Sequence, residues 1–298
     1  MSETKTVRLP FGVEPKMVRR KNSLEVREGD SCRMQVTPEM ARSWLKTNMS
    51  NRNLSRQNVE FIVSQLKKGK WKFNGESISF DSKGKLLNGQ HRLTAVVESN
   101  QPIDTLVILG IQEEAFHTMD TGKIRTAGDI LSTKGYSGAN TLASVARLVI
   151  SLQTGYKGIA TGGLKRTNID NEDVMKFVEQ TPNFVEVVSE AHKLWSKMPV
   201  RFVAPQIFCA MYFLFYQKNM DMAKSFMTSV AQGTNIDANS PQYHLRSNLE
   251  KMYHQRLRRR YSIYQKSGLF IKAWNYYRTN KKFERLFFKE NEAIQSVI

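Results

Sequence analysis

Two kinds of apolar periodicity divide this chain, and they constrain its fold more than any other feature. Apolar and polar residues alternate from Ser77 to Phe80, and the apolar run from Thr105 to Leu109 is typical of a buried strand. From about residue 126 onward, apolar residues recur only at helical spacing. The sequence therefore predicts an α+β chain with a flexible basic arm at 1–30, a small mixed-sheet domain at 31–130 and an all-α domain at 131–298.

Local start and stop signals predict where the helices lie. Thr37 followed by Pro38 is typical of a helix start, Ser55 is positioned to cap the next helix, and Gly69 ends that helix. A turn at 81–84 predicts a hairpin between two short strands. In the second domain, helices are predicted at 126–133, 139–154, 171–180, 183–197, 203–217, 219–231 and 241–265.

The bend after this hairpin is the candidate phosphate site. Gly89 allows a phosphate to approach the backbone closely, and the helix that starts at Gln90 presents amide groups and a partial positive charge. Arg92 supplies a planar cation suited to phosphate oxygens, and His91 is suited to donate a hydrogen bond or shuttle a proton. Asn88 and Gln90 complete the predicted phosphate-binding set at this bend. The alternative is an ordinary helix start whose Arg92 pairs with a carboxylate.

The residues around this bend resemble the N-terminal domain of ParB-type proteins, within the ParB/sulfiredoxin superfamily. The resemblance covers 53–111 and rests on the segments LSRQNVEFIVSQLKKGKW, GESISFDSKGKLLNGQHRLTAVVES and IDTLVILGI. Gly89, Arg92 and Ala95 match the Gly-x-x-Arg-x-x-Ala box of that superfamily. The resemblance implies a small mixed-sheet domain whose box binds nucleotide phosphates.

Two departures from the family pattern narrow what the box implies. Gln90 stands where sulfiredoxin has its reactive cysteine, so thiol redox chemistry is not expected. Asn88 stands where the DGQHR branch has an aspartate, which weakens any role that needs a carboxylate there. The resemblance implies a protein that binds CTP or ATP, or one that acts on phosphodiesters. A solitary domain of this kind is typical of phages and mobile elements.

A second group of polar residues follows the last predicted strand. Thr121, Lys123 and Arg125 are candidates for phosphate contact, and Asp120 is a candidate metal ligand or proton acceptor. By analogy with ParB-like folds, Asp120 and Arg125 are expected to face the bend. Glu76 is the second candidate ligand for Mg²⁺ or Mn²⁺. The alternatives are a capped loop with solvated charges and, for Glu76, a surface residue at a strand end.

The positive charge of the chain predicts a polyanionic partner. The formal net charge is +18, and residues 246–289 hold 13 Lys or Arg against two Glu, with aromatic residues interleaved. This mixture suits a phosphate backbone together with exposed bases. The alternative is a core helix in which Phe270, Ile271 and Trp274 pack inward, an arrangement that still leaves the cations for DNA. The predicted DNA contacts are Arg256, Arg258, Arg259, Arg260, Lys266, Lys272, Lys281 and Lys282.

Together these features predict a DNA-binding protein that works on phosphodiesters as a nicking or cleaving endonuclease. In this hypothesis His91 and Arg92 hold and polarise the phosphate, and Asp120 or Glu76 holds a divalent metal. One rival is a DNA-binding module that is gated by CTP or ATP without cutting. The other is a phosphotransferase or DNA-modification enzyme on the same fold.

The remaining sequence features predict a cytoplasmic protein without a membrane partner. The two cysteines, Cys32 and Cys209, are far apart, so no disulfide framework is expected. The N-terminal residues contain no apolar signal segment, and the longest apolar run is too short for a membrane span. The expected partners are DNA and a nucleotide, and a homodimer is compatible with both.

Overall fold

The computed structural model describes residues 30–48, 53–112, 125–154, 169–234, 236–255, 261–281, 283, 285–289 and 292–298. The chain divides into two compact units, 1–123 and 124–298, and each has its own hydrophobic core. The predicted mixed α+β class is confirmed. The predicted basic arm lies outside the described residues, apart from Asp30. Among the described helices, none has both the length and the apolar character that a membrane crossing requires.

The described part of the first unit forms a four-stranded mixed sheet with helices packed against it. Strand order is β1-β4-β2-β3, in which β2 runs parallel to β4 and the other neighbours are antiparallel. The hairpin β2–β3 leads directly into α3, and α3 returns the chain to β4. Its elements are β1 (Ser31–Val36), α1 (Pro38–Leu45), α2 (Arg56–Lys67), β2 (Ser77–Asp81), β3 (Leu86–Asn88), α3 (Gln90–Ser99) and β4 (Ile103–Ile111).

The core of this unit follows from the alternation that was visible in the sequence. Ile78 pairs in register with Val107, and both are buried on the same side of the sheet. Trp44 of α1 packs edge-on against Phe80, with ring centroids 5.2 Å apart. Apolar burial and this aromatic contact therefore hold the helical layer on the sheet.

The predicted helix signals of the first unit are confirmed. The Thr37 side chain accepts a hydrogen bond from the Met40 amide at the start of α1. Ser55 caps α2 by accepting from the Asn58 amide. Gly69 has φ of +64° and its amide donates to Leu66 O, so α2 ends there in a left-handed residue.

The second unit is helical in all of its described regular elements. The central helix α8 is buried along its whole length from Ile207 to Phe215 and packs against α5, α7, α9 and α11. Cys209 lies within it and is fully buried, as predicted for a core residue. The helices are α4 (Ala127–Thr133), α5 (Ala139–Gln153), α6 (Asn171–Gln180), α7 (Phe184–Ser196), α8 (Pro205–Tyr216), α9 (Met220–Gln232), α10 (Pro241–His254) and α11 (Ile263–Thr279).

The helix predicted at 241–265 is wrong, because two helices occupy this region. The first of them, α10, ends at His254, and α11 begins after Ser262 and continues to Thr279. Ser262 and Gln265 form a reciprocal capping box, in which each side chain accepts from the backbone amide of the other residue. This capping signal is local, and it marks a new helix start inside the run of cations and aromatics.

The described residues of the C-terminal segment after α11 have no regular secondary structure but pack on that helix. Leu286 is buried, and its carbonyl accepts a hydrogen bond of 2.9 Å from Asn248 Nδ2. Trp274 is fully buried and donates its indole N–H to Ile298 O at 2.9 Å. Lys272 donates to Phe287 O and to the Glu292 carboxylate. Side chains of α10 and α11 therefore hold the backbone of this segment in place.

Candidate phosphate site at the β3–α3 bend

The bend at Gly89 requires glycine for two separate reasons. Its φ is +105°, in the left-handed region where side chains are strained. A Cβ at this position would also lie 2.9 Å from Ile78 Cγ1 and 3.3 Å from Ile78 Cα. Because glycine at the N-cap carries no side chain, the cap position of α3 provides no side-chain acceptor of its own. The bend therefore brings the positive end of α3 close to the start of the hairpin.

Arg92 is buried and forms an ion pair with Glu76. Its side chain is 10% exposed, and Nη1 lies 2.6 Å from Glu76 Oε2. Nη2 donates to Ser77 O at 2.7 Å and, at 3.5 Å, points to Asn88 Oδ1. The arginine thus connects the first turn of α3 to the start of β2. This contact matches the alternative in which Arg92 pairs with a carboxylate.

Glu76 is held through its backbone, while its side chain faces water. The Glu76 amide donates to Asn74 Oδ1 at 3.0 Å, and its carbonyl accepts from Thr105 Oγ1 at 2.8 Å. The side chain is 60% exposed although it reaches Arg92. Glu76 was predicted as a metal ligand, with a surface residue at a strand end as the alternative. Its exposed side chain directly before β2 fits the alternative, and the structure adds that it is the counter-ion of Arg92. While this pair is intact, the Glu76 carboxylate is bound to the guanidinium of Arg92.

His91 is directed toward α2. Its Nε2 accepts a hydrogen bond of 2.9 Å from the backbone amide of Ser55, the cap residue of α2. An imidazole nitrogen that accepts is unprotonated, so this bond requires a tautomer in which Nε2 has no hydrogen. In this conformation Nε2 links two helices, and a role in proton transfer would require that bond to break.

Gln90 is also engaged within the protein. It is buried, and its Oε1 accepts from Asn48 Nδ2 at 3.2 Å. Thr94 Oγ1 donates to Gln90 O one turn further along α3. The side chain predicted to contact phosphate therefore anchors α3 to the segment that follows α1.

The second predicted group cannot be assembled from the described residues. Asp120, Thr121 and Lys123 lie outside them. Arg125 is exposed in the second unit, and its carbonyl accepts from Asn171 Nδ2 at 3.1 Å. Thr126 caps α4 as predicted. Within the described ranges, no group of three or more His, Cys, Asp or Glu side chains is arranged to hold a metal ion.

The predicted DNA contacts near the C-terminus differ in their surroundings. Lys266 is half-buried, and burial lowers the pKa of its ammonium group. Lys272 is bound to Glu292 Oε1 at 2.8 Å and to Phe287 O at 3.1 Å, which argues against a free DNA contact. Lys281 is exposed. Phe270, Ile271 and Trp274 are buried, which confirms that they pack inward. The other predicted contacts lie outside the described residues, namely Arg256, Arg258, Arg259, Arg260 and Lys282.

Sequence reasoning missed the residues that hold the bend in place. Ser55 was predicted as a helix cap, but its amide also binds His91. Ser77 contributes a backbone carbonyl to Arg92, and no side-chain pattern marks such a role. Asn48, which binds Gln90, lies 42 residues away in the chain and carries no local signal.

Comparisons with known proteins do not identify a related site. No family model, curated protein or solved structure was found to match the chain. The resemblance to ParB-type domains therefore stays an expectation from the sequence, and the function has to be argued from the residues themselves.

Proposed function

We propose that this chain is a DNA-binding protein whose β3–α3 bend binds a phosphate group. The observation that carries this proposal is the setting of Arg92. One edge of its guanidinium is held by Ser77 O inside the protein, and the other meets the exposed carboxylate of Glu76. A phosphate entering from the solvent can replace Glu76 while Ser77 keeps the guanidinium in position.

The exposure of Glu76 makes this replacement feasible. Its side chain is 60% exposed and returns to water, while the incoming phosphate keeps the buried guanidinium of Arg92 paired with an anion. A phosphate would gain charge-assisted hydrogen bonds to Arg92 and the favourable dipole of α3. Because Ile78 occupies the space beside the Gly89 Cα, the glycine serves the bend itself, and the proposed phosphate contacts are Arg92 and the first turn of α3.

The DNA part of the proposal rests on charge. The chain carries a net +18, and 13 of its Lys and Arg fall in 246–289. Lys272 is used within the fold, whereas Lys281 is exposed. A positive surplus of this size favours association with a phosphate backbone, and such binding weakens as salt rises.

The Glu76–Arg92 pair favours the form of the proposal in which CTP or ATP controls DNA binding without cutting. Because Glu76 already pairs with Arg92, the described residues of the bend support phosphate binding more directly than metal-assisted cleavage. The nuclease version depends on Asp120 together with Mg²⁺ or Mn²⁺. The phosphotransferase version would use the same Arg92 contact.

Two assays on the full chain test the proposal. Labelled CTP and ATP are titrated with and without DNA, and supercoiled plasmid is incubated with Mg²⁺ or Mn²⁺. Nucleotide binding that depends on Arg92, with the plasmid left intact, supports control by CTP or ATP. Nicking that depends on Arg92 supports the nuclease. If neither nucleotide binding nor DNA processing changes on substitution of Arg92, the phosphate site is refuted.

A further inference from the structure

A basic and aromatic segment lies between α2 and β2, outside the surfaces considered so far. Lys67, Lys68, Lys70 and Lys72 fall within six residues, and Trp71 and Phe73 are interleaved with them. No acidic residue occurs from 61 to 75. Lys67, Lys68 and Lys72 are exposed, so this segment concentrates positive charge on the surface of the first unit.

Phe73 forms the centre of an ordered surface. Arg33 of β1 places its guanidinium carbon 4.3 Å from the centroid of the Phe73 ring. Phe73 is nevertheless 41% exposed, so a large part of the ring remains open to solvent. Trp71 is fixed beside it, because its indole N–H donates to Asp104 O at 3.1 Å.

The nearby carboxylates are both paired with arginines. Asp104 receives hydrogen bonds from Arg33, including one of 2.9 Å from Nε to Oδ2. Glu76, which follows the segment, is bound by Arg92. These two acids therefore neutralise arginines, and the exposed Lys67 and Lys68 add positive charge to the same part of the first unit.

We propose that Arg33, Phe73 and the lysines at 67 and 68 bind single-stranded nucleic acid. An exposed aromatic ring stacks on an unpaired base, and neighbouring lysines contact the backbone phosphates. Arg33 holds the ring from one side and leaves the remainder for a base. This surface and the phosphate site at Arg92 use different residues, so an experiment can refute one proposal without refuting the other.

Two features favour a single strand over other anionic partners. The segment after α2 is neither a helix nor a strand, and the groove of a duplex accepts a helix or a two-stranded ribbon. A membrane surface would require several apolar side chains that are free to insert, whereas Trp71 is tied to Asp104 O and Phe73 is the strongly exposed ring here.

The test measures binding of fluorescein-labelled oligothymidylate and of a hairpin duplex to the full chain. Phe73→Leu, which keeps apolar bulk but removes the ring, is expected to weaken oligothymidylate binding about tenfold. Phe73→Trp is expected to retain it. The duplex should respond to neither substitution. Unchanged far-UV circular dichroism shows that the variants are folded, as expected for a residue with 41% exposure.

A charge series provides the second readout. Replacing Lys67 and Lys68 together by Gln should reduce the slope of log affinity against log salt by about 1.4 for the single strand. A matched variant with Lys193 and Lys197 changed to Gln, both exposed in the second unit, should leave that slope unchanged.

Three results would overturn the inference. The first is oligothymidylate binding in Phe73→Leu that equals the unsubstituted chain. The second is an equal loss of single-strand and duplex binding in that variant. The third is binding to phosphatidylserine vesicles without binding to oligothymidylate, which would assign the surface to a membrane. Arg92→Lys separates the two proposals, because it should leave single-strand binding at Phe73 unaltered.

Discussion

Arg92 Nη1 and Glu76 Oε2 lie 2.6 Å apart, although one side chain is buried and the other is mostly in water. The arginine is additionally fixed by Ser77 O, whereas the side chain of Glu76 is 60% exposed. The pair is therefore asymmetric, since Glu76 can leave without moving Arg92. This asymmetry is the basis of the first two predictions.

Glu76→Gln should raise the affinity of the bend for phosphate compounds about fivefold, because a charge that competes with the ligand is removed. The measurement is calorimetric titration with inorganic phosphate and with CTP. Glu60→Gln is the matched control, since Glu60 is an exposed glutamate that pairs with Arg56 on α2. An unchanged or lower affinity in Glu76→Gln would contradict the proposed exchange.

Arg92→Lys should weaken binding of the same compounds about tenfold or more, because a lysine cannot hold Ser77 O and a phosphate with one planar group. Arg56→Lys serves as the comparison, since Arg56 is exposed and pairs with Glu98. Thermal unfolding is recorded for both variants to show that they are folded. Equal affinities in the two variants would remove Arg92 from the site.

Gly89→Ala should destabilise the first unit by about 2–4 kcal/mol, since it combines a positive φ with a close approach to Ile78. Gly75→Ala tests the effect of the positive φ alone. Gly75 has φ of +78° but no atom within 4 Å of its added Cβ, and the expected loss is about 1 kcal/mol. Urea unfolding measures both. Equal losses would mean that the contact with Ile78 costs nothing.

Glu292 should make the attachment of the C-terminal segment dependent on pH. Burial alone would raise the pKa of its carboxyl, but hydrogen bonds from Lys272 Nζ and the Lys289 amide outweigh it and lower the pKa below its ordinary value of 4.5. A lowered pKa stabilises the fold above the unfolded value, and this stabilisation is lost as pH falls through the folded value.

Glu292→Gln should therefore lower the Tm of the helical unit by about 2–4 °C at neutral pH. The difference from the unsubstituted chain should close as the pH falls from 4.5 through the lower pKa of the folded state, below which the carboxyl is protonated in both states. Scanning calorimetry over this range measures the effect. A difference in Tm that is independent of pH would contradict a role for the Glu292 charge.

Local signals account for the parts of the fold that were predicted, and long-range contacts for the parts that were not. Thr37 and Ser55 could be identified as caps because a cap acts within three residues. The pairing of Arg92 with Glu76 joins positions 16 residues apart, and it depends on the hairpin that lies between them. Sequence reasoning considered a carboxylate partner for Arg92, but it had no means to identify Glu76.

The same distinction explains the error near the C-terminus. The single helix predicted at 241–265 ran past the end of α10 at His254 and concealed the start of α11 at Ile263. Ser262 and Gln265 carried the local signal for that start. No local signal could identify the role of Lys272, because its partner Glu292 belongs to a segment without any periodic pattern.

The contacts of Trp274 set a practical limit on how this protein can be shortened. Its indole is stacked on Phe215, with centroids 4.5 Å apart, and its N–H reaches the carbonyl of Ile298. A version trimmed at the end of α11 would uncover the hydrophobic interior of the helical unit and deprive the indole of its acceptor. Expression of that unit alone should therefore extend through Ile298, well past the last helix.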